Sequence, residues 1–286
     1  MSLGRFGAGF AFQSPEWRQA AIATMELREV VRQAGDSTFI DLLNSVRLGI
    51  CTPAHTSQLA ACHLRVKPLP QDGILPTRLY CKNADVDSEN ARFLNLLPGD
   101  ATIFRAADNF KSNYNESTKE KIGKLVESKA PKQLCLKPQA QVMLTRNRPE
   151  MNLVNGSRGV VVDFTEAFCE GGYGVPKGNF LCPVVKFDDG KTHIIKLASV
   201  FQGGSDGSVT RVQFPLKLAW AITVHKSQGM TLSRCELQLD DAFAEGQVYV
   251  ALSRVTSLAG LWVKGGNITQ SVVKAHESVR AFYGGS

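Results

Sequence analysis

The chain has 286 residues, of which 43% are hydrophobic and 21% charged, a balance typical of an ordinary globular protein with a sizeable core. No apolar run reaches the roughly 18 residues of a membrane span, and the first residues lack the layout of a signal peptide, so no membrane partner is expected. Seven scattered cysteines without a C-x-x-C pair indicate reduced thiols inside a cell.

The net charge of +7 is concentrated in one segment. Between Lys111 and Arg158 there are ten Lys or Arg and four Glu, and 10 − 4 gives +6 of the total. Such a basic segment can neutralise nucleic-acid phosphates. Alternatively, it is a solvated loop whose charge only aids solubility.

Alternating helix and strand signals fill the first hundred residues. Ser14-Pro15-Glu16 is typical of a helix start, and "MELREVVRQ" (25–33) predicts a strand that runs into a turn. Asp36 is a cap for a helix with one apolar face, which Gly49 ends. Three more elements are expected: a helix from Thr52-Pro53, a strand at "ILPTRLYC" and a helix over 84–97. This alternation predicts a mostly parallel sheet.

The pattern changes after about residue 100. The polar stretch "NFKSNYNESTKEK" predicts a mobile excursion, and short β signals with turns at Asn155-Gly156 and Asp189-Gly190 follow it. We expect 138–212 to form a small antiparallel barrel inserted into the α/β domain. From Pro215 the prediction is a helix into His225, a strand at "CELQL", a helix over 245–254 and a strand at "GLWVK".

Three other patterns favour structural roles. Gly190-Lys191-Thr192 resembles the end of a phosphate-binding P-loop, but Val185 occupies its first glycine position, so a hairpin is expected. Asp240-Asp241 is expected to be a helix-capping turn rather than a metal-binding pair. Four further residues could in principle bind zinc, but their spacing matches no common zinc finger. Because Cys is often simply a small buried residue, a structural role is favoured for them: Cys51, His55, Cys62 and His63.

"WAITVHKSQGMTL" (220–232) is an apolar run interrupted by a polar cluster. Four of its side chains can donate to phosphate oxygens: Thr223, His225, Lys226 and Ser227. Gly229 is expected to permit a close backbone approach that a Cβ would block. The structural alternative is a capped helix end at which His225 complements the negative terminus, and it leaves Lys226, Ser227 and Gln228 without a role.

Two further clusters carry phosphate-suited groups. "GQVYVALSRV" (246–255) places Ser253-Arg254 at the end of an apolar stretch, and Arg32-Gln33 follows the strand predicted at "MELREVV". A single arginine at the end of an element usually faces water. Three such clusters in one α/β domain favour a functional site.

The order of "LREVVRQ", "LVNGSRGVVV", "LKLAWAITVHKSQGMTL" and "GQVYVALSRV" resembles the carboxy-terminal half of PIF-type (petite integration frequency) DNA helicases, in superfamily 1 beside the RecD-like enzymes. "GFAFQSPEW" also resembles the stretch that leads into this half. The resemblance covers nearly the whole chain and is weakest over 100–135 and 165–182.

The resemblance implies two RecA-like motor domains with ATP in the cleft between them. The first domain carries the P-loop lysine, the acidic metal-binding strand and a glutamine sensor. The 286-residue sequence contains none of the three. The implied organisation is a connector over 1–24, a second RecA-like domain over 25–137 and 213–286, and the barrel over 138–212.

The resemblance also implies roles for single residues. Arg32 and Arg254 would reach the γ-phosphate as catalytic arginines, and Gln228 and Gly229 would couple the nucleotide to the DNA track. The phosphates of single-stranded DNA would be held by the polar cluster: Thr223, His225, Lys226 and Ser227.

The function so implied is an ATP-dependent 5′→3′ DNA helicase acting in replication, repair, recombination or telomere maintenance. ATP and Mg²⁺ would be held mainly by the first domain, so this chain alone is expected to be inactive. Its partners would be single-stranded DNA and duplex junctions, with a monomer in the absence of DNA, in the nucleus or the mitochondrion. The alternative is a truncated, non-catalytic paralogue that binds nucleic acid or a partner.

Overall fold

The computed structural model describes residues 9–23, 25, 29–80, 84–127, 129–204, 207–238 and 244–284. The chain forms two compact units, Met1–Val31 and Arg32–Ser286. No described helix is long and apolar enough to cross a membrane. The described helices, in chain order, are α1 (Pro15–Gln19), α2 (Ser37–Arg47), α3 (Pro53–Ala60), α4 (Ala84–Leu96), α5 (Glu116–Val126), α6 (Gln247–Leu252) and α7 (Glu277–Gly284), with short 3-10 turns at Ala11–Gln13, Pro149–Met151 and Leu258–Gly260.

The described strands are mostly short. In chain order they are β1 (Thr77–Tyr80), β2 (Thr102–Arg105), β3 (Ala107–Phe110), β4 (Gln133–Leu136), β5 (Gln141–Leu144), β6 (Arg158–Cys169), β7 (Gly178–Phe187), β8 (Thr192–Ile194), β9 (Ala198–Gly204), β10 (Gly207–Gln213), β11 (Leu216–Leu218), β12 (Ala221–Thr223), β13 (Cys235–Gln238) and β14 (Leu261–Lys264).

The unit Met1–Val31 contains α1, whose start was predicted correctly. The Ser14 hydroxyl accepts from the Trp17 amide at 3.1 Å, and Pro15 occupies the first turn. The strand predicted over 25–33 was wrong for the residues that are described. Met25 and residues 29–31 have no regular structure, and residues 32–35 form turns. Val31 is 78% exposed, so it lacks the burial expected of a strand in a parallel sheet.

A parallel sheet organises the unit Arg32–Ser286. Its order is β12-β1-β13-β14, and every neighbouring pair is parallel. Helix α2 belongs to the same core through the four buried side chains of its predicted apolar face, Phe39, Leu42, Leu43 and Val46. The Asp36 carboxylate caps it by accepting from the Phe39 amide at 3.0 Å. The predicted mixed α/β domain with a parallel sheet is confirmed.

The helix predicted to run into His225 was wrong. This segment forms β11 and β12 instead, and all three residues of β12 are buried. A strand buried on both faces is continuously apolar, so its period cannot be told from that of a buried helix. The polar cluster therefore follows the carboxyl end of a parallel strand, the edge at which open α/β sheets bind their ligands. His225 does not cap a helix.

Antiparallel strands occupy the chain between Thr102 and Leu218. They form a five-stranded sheet in the order β11-β5-β6-β7-β8, a three-stranded sheet β3-β10-β9 and the pair β2-β4. The hairpin predicted at Asp189-Gly190 is confirmed between β7 and β8, and Gly190 has a φ of +84°. These strands extend beyond both ends of 138–212.

The mobile excursion predicted over 109–121 was also wrong. Its second half begins α5, where the Asn115 side chain accepts from the Thr118 amide at 2.8 Å. The apolar anchors of this helix, Ile122 and Val126, are buried and lie just beyond the polar stretch. Burial of these two side chains stabilises the helix, and neither of them belongs to the polar segment on which the prediction was based.

Candidate functional site

The polar cluster forms a compact turn after β12. The Ser227 amide donates to the Thr223 carbonyl oxygen at 3.0 Å, and the fully buried Ser227 hydroxyl donates to the Val224 carbonyl oxygen at 2.7 Å. The Thr223 hydroxyl oxygen accepts from the Lys226 amide at 3.2 Å. Thr223 and Ser227 are therefore buried scaffolding of the turn. The exposed side chains are three: His225, Lys226 and Gln228.

Gly229 is required by its backbone conformation. Its φ is +78°, a region that favours glycine, and a Cβ added there would meet no described atom within 4 Å. The expected close approach lies instead at Gly156, whose φ is +94° and whose added Cβ would lie 2.7 Å from the Thr231 carbonyl oxygen. The turn between β5 and β6 therefore packs tightly on the chain that leaves the polar cluster.

Arg32 and Gln33 lie in the turn before α2 and contact two other parts of the site. The Arg32 Nε donates to the Thr231 hydroxyl at 3.1 Å, and its Nη1 donates to the Ser253 carbonyl oxygen at 3.0 Å. The buried Gln33 amide donates to the Val255 carbonyl oxygen at 2.6 Å. No role was predicted for Gln33 from the sequence, although its position next to Arg32 indicated that it could belong to the site.

Arg254 follows α6 and is held by its own helix end. Its Nε donates to the Val250 carbonyl oxygen at 2.9 Å, and its Nη2 donates to the Ser253 hydroxyl at 2.8 Å. Burial lowers the pKa of Arg254 from its ordinary value, and the charge of Arg32 lowers it further. Within the described part of the chain, neither arginine has an ion pair with a carboxylate. Two neighbouring guanidinium groups without a counter-charge suit an anion.

Lys217 is a site residue that sequence analysis missed. Together with Lys129 and Lys226 it lines a cavity of about 260 Å³, where its Nζ lies 4.0 Å from the Met230 sulfur. Burial first, and the charge of Lys226 second, lower the pKa of Lys217 to about 8. The available signal was a lysine inside the apolar run of β11.

The basic residues of 111–158 do not share one surface. Some are neutralised locally, as in the pairs Lys119–Glu116 and Lys124–Glu120, both at 2.8 Å. Arg158 is buried and donates to the Arg234 carbonyl oxygen at 3.1 Å, and burial lowers its pKa to about 10. The positive charge counted from sequence is thus partly structural.

The side chains weighed as a zinc site have other partners. Cys51 Sγ lies 3.6 Å from the Thr56 hydroxyl, and Cys62 Sγ lies 3.6 Å from the Leu258 carbonyl oxygen. A His63 ring nitrogen lies 3.0 Å from the Gly265 carbonyl oxygen. Across the described ranges, no group of three or more His, Cys, Asp or Glu is arranged to hold a metal ion. Asp240-Asp241 lies outside the described residues.

Comparison with known proteins finds similar helicases. No protein-family model matches the chain. The ATP-dependent DNA helicase PIF1 of Danio rerio is 41% identical to it over 289 aligned positions, which cover 99% of the chain. Over this shared length, the chain is similar to PIF1-type helicases. The chain spans 41% of that relative's length.

Solved structures of Pif1 helicases are similar to the chain as well. The crystal structure of Pif1 helicase from Candida albicans matches with a TM-score of 0.67 and 33% identity, over 96% of this chain and 64% of that one. A Bacteroides Pif1 helicase in complex with ADP-AlF3 and ssDNA matches with a TM-score of 0.53 and 25% identity, over 91% of this chain and 56% of that one. Together with the parallel sheet, these likenesses support a RecA-like helicase domain.

Proposed function

We propose that this chain is the carboxy-terminal motor part of an ATP-dependent 5′→3′ DNA helicase. The proposed parts are a second RecA-like domain over 25–137 and 213–286, an inserted barrel over 138–212 and a connector over 1–24. The observation that carries the proposal is one chain of contacts. It joins Arg254 to Arg32 through Ser253, and Arg32 to the turn after β12 through Thr231.

The arginine pair fits the γ-phosphate of ATP. Arg32 and Arg254 each keep guanidinium N–H groups without a partner among the described residues, and the two positive charges lie side by side. Bound ATP supplies the phosphoryl group that is transferred to water. The arginines stabilise the negative charge that builds on its oxygens in the transition state.

The remaining contacts of ATP and Mg²⁺ are assigned to a separate domain. The pattern G-x-x-x-x-G-K-[ST] does not occur in the 286 residues. No metal-binding group is found in the part of the chain that the structure describes. The residues present therefore fit the γ-phosphate end of a shared site rather than a complete one.

The turn after β12 is the proposed contact with single-stranded DNA. His225 and Lys226 are exposed and can donate to phosphates, whereas Thr223 and Ser227 hold the turn in shape. Gln228 and Gly229 lie between these donors and Thr231, so a shift of Arg32 on the nucleotide can reach the DNA side. Cleft closure that moves a DNA contact is the expected motor step.

Partners and place follow from this proposal. A Bacteroides relative was solved with ssDNA, and the relatives named helicases act on DNA. We propose single-stranded DNA and duplex junctions as the ligands, a monomer in the absence of DNA, and an intracellular location in the nucleus or the mitochondrion. The inserted barrel is supported by the five-stranded antiparallel sheet.

Titration of this chain with fluorescent single-stranded DNA tests the proposal. The logarithm of the affinity should fall linearly with the logarithm of the salt concentration, by about 0.7 per phosphate contact. The double variant His225→Ala/Lys226→Ala should bind more weakly and with a smaller slope. Lys274→Ala, which removes an exposed charge, is the control and should bind normally. Binding that ignored salt, or that survived the double variant unchanged, would contradict the assignment.

A further inference from the structure

The tip of the turn between β6 and β7 presents an aromatic ring to water. Gly172 and Val175 exchange two backbone hydrogen bonds, of 3.1 and 3.0 Å, around Tyr173 and Gly174. Tyr173 has a φ of +50°, Gly174 a φ of +86°, and the Tyr173 side chain is 96% exposed. Two consecutive positive φ angles are typical of a type I′ turn, which strongly prefers Asn-Gly.

A bulky residue at positive φ is an outlier that lowers the stability of the fold. Full exposure means that Tyr173 recovers nothing from burial in this structure. Neither the turn nor the core therefore requires an aromatic residue at this position. Strain of this kind, kept without a packing benefit, points to binding.

The ring lines a concave surface together with cationic side chains. This surface, the aromatic pocket, has a volume of about 670 Å³, and its main side chains are Tyr173, Phe201, Arg146, Arg148, Asn109 and Thr210. Phe201 on β9 is 67% exposed. Arg146 donates to the Ser199 carbonyl oxygen at 3.0 Å, and Arg148 donates to the Lys196 carbonyl oxygen at 3.1 Å. The guanidinium groups are thus held in place beside the rings.

Charge in the aromatic pocket favours an anionic ligand. The pKa of Arg148 is lowered from its ordinary value, mainly by burial. The neighbouring charge of Arg146 also lowers it, and Glu150 partly opposes both. Glu150 forms an exposed ion pair with Arg148 at 3.3 Å, and the buried Nε of Arg148 has no hydrogen-bond partner among the residues that the structure describes. Within the same ranges, Arg146 has no carboxylate partner.

Exposed rings beside cations suit single-stranded nucleic acid. Proteins that bind such strands combine aromatic side chains, on which bases stack, with positive groups that follow the phosphates. The core of a protein–protein interface is also enriched in aromatic residues and Arg, so residue type alone does not choose between the two kinds of partner. Because Arg146 has no carboxylate partner among the described residues, the pocket keeps a positive charge that suits the phosphates of a strand with unpaired bases.

We propose that the aromatic pocket binds unpaired bases of a DNA strand. Tyr173 and Phe201 stack on the bases, and Arg146 and Arg148 contact the adjacent phosphates. This inference rests on the proposed DNA-binding function and adds a base-contacting surface on β9 and on the β6–β7 turn. It assigns a second stretch of the strand to residues outside the turn after β12.

Tyr173→Asn is the informative variant because it separates folding from binding. It creates the Asn-Gly pair that a type I′ turn prefers, so urea unfolding should show a chain at least as stable as the wild type. The ring is lost, and affinity for a single-stranded oligonucleotide should fall at least about fivefold. Affinity for an abasic sugar-phosphate strand of the same length should not change. Tyr173→Trp should retain tight binding, and Val66→Ala, at an exposed apolar position away from the pocket, should bind normally.

The outcomes distinguish this inference from the function on which it rests. Unchanged oligonucleotide affinity in Tyr173→Asn, with weaker and less salt-dependent binding in His225→Ala/Lys226→Ala, would overturn the pocket and leave the proposed function standing. The exposed rings would then belong to a protein-binding surface. Equal wild-type affinity for the base-containing and abasic strands would also overturn base stacking. Absence of salt-dependent binding to either strand would overturn both proposals.

Discussion

Arg32 and Arg254 donate to the same residue, Ser253: Arg32 to its carbonyl oxygen at 3.0 Å and Arg254 to its hydroxyl at 2.8 Å. Two like charges are thereby held together at the end of α6, where burial and mutual repulsion lower the pKa of Arg254. An anion placed between them would relieve that repulsion. This arrangement supports the proposed contact of the two arginines with a phosphate.

The chain on its own should not turn over ATP. Its sequence contains no P-loop, so no cradle of amide groups is present for the β- and γ-phosphates. Steady-state phosphate release by the purified 286-residue chain should stay at background with or without single-stranded DNA. Turnover that disappeared in Arg254→Ala would show a complete active site and refute this expectation.

Gly156 and Gly190 form a matched pair of glycines at positive φ. Gly190→Ala adds a Cβ with no atom within 4 Å, so it should cost only backbone strain, about 1 kcal/mol. Gly156→Ala adds a clash with the Thr231 carbonyl oxygen and should cost about 3 kcal/mol. It should also shift the turn after β12 and weaken binding to single-stranded DNA. Urea unfolding and anisotropy measure both effects, and equal behaviour of the two variants would contradict the packing role of Gly156.

Lys217 should make stability depend on pH. Its pKa is about 8 in the folded chain, against about 10.4 when unfolded, so the unfolded state binds more protons between these values. The contribution of Lys217 to the free energy of unfolding is therefore lowest below about pH 8, and it rises as the pH increases towards about 10. Lys217→Met removes the desolvated charge and should be more stable than wild type at about pH 7, by about 1 kcal/mol or more.

The stability advantage of Lys217→Met should shrink as the pH rises past about 8. Urea unfolding at about pH 7 and about pH 9.5 gives the comparison. Lys264→Met, at an exposed lysine on β14, is the control and should show no such trend. An advantage of constant size across this range would contradict a lowered pKa at Lys217.

Local features of the fold could be predicted from the sequence. The signals for α2 all lie within the helix or at its ends: Asp36, the apolar spacing and Gly49. They can therefore be interpreted without knowledge of distant residues. The Asp189-Gly190 hairpin is predictable for the same reason. The segment 215–225 was not, because burial of β12 on both faces depends on neighbours far away in the sequence.

The site was predictable in its chemistry but not in its connections. Arg32, Arg254 and the HKSQG turn stand out as phosphate-suited groups because of their residue types and their positions at the ends of apolar stretches. Their joining through Ser253 and Thr231 depends on folding, as does the packing of Gly156 on Thr231. Burial likewise separates Thr223 and Ser227 from the exposed donors, which sequence analysis had grouped together.

The proposed catalytic role of Arg254 can be tested in a protein that contains both motor domains. A chimaera that joins this chain to the part of the Danio rerio relative that it does not cover should hydrolyse ATP in a DNA-stimulated manner. Arg254→Ala should lower this turnover at least about a hundredfold, since an arginine in this role is worth about 10³-fold or more. Arg254→Lys should recover little, because lysine keeps the charge but lacks the planar fork of donors.

The decisive measurement is steady-state ATPase activity of the chimaera at saturating single-stranded DNA, beside an anisotropy titration without nucleotide. We predict a turnover loss of at least about a hundredfold in Arg254→Ala, with DNA affinity changed by less than about threefold. Near-normal turnover in Arg254→Ala would make Arg254 an ordinary surface charge and contradict the motor assignment.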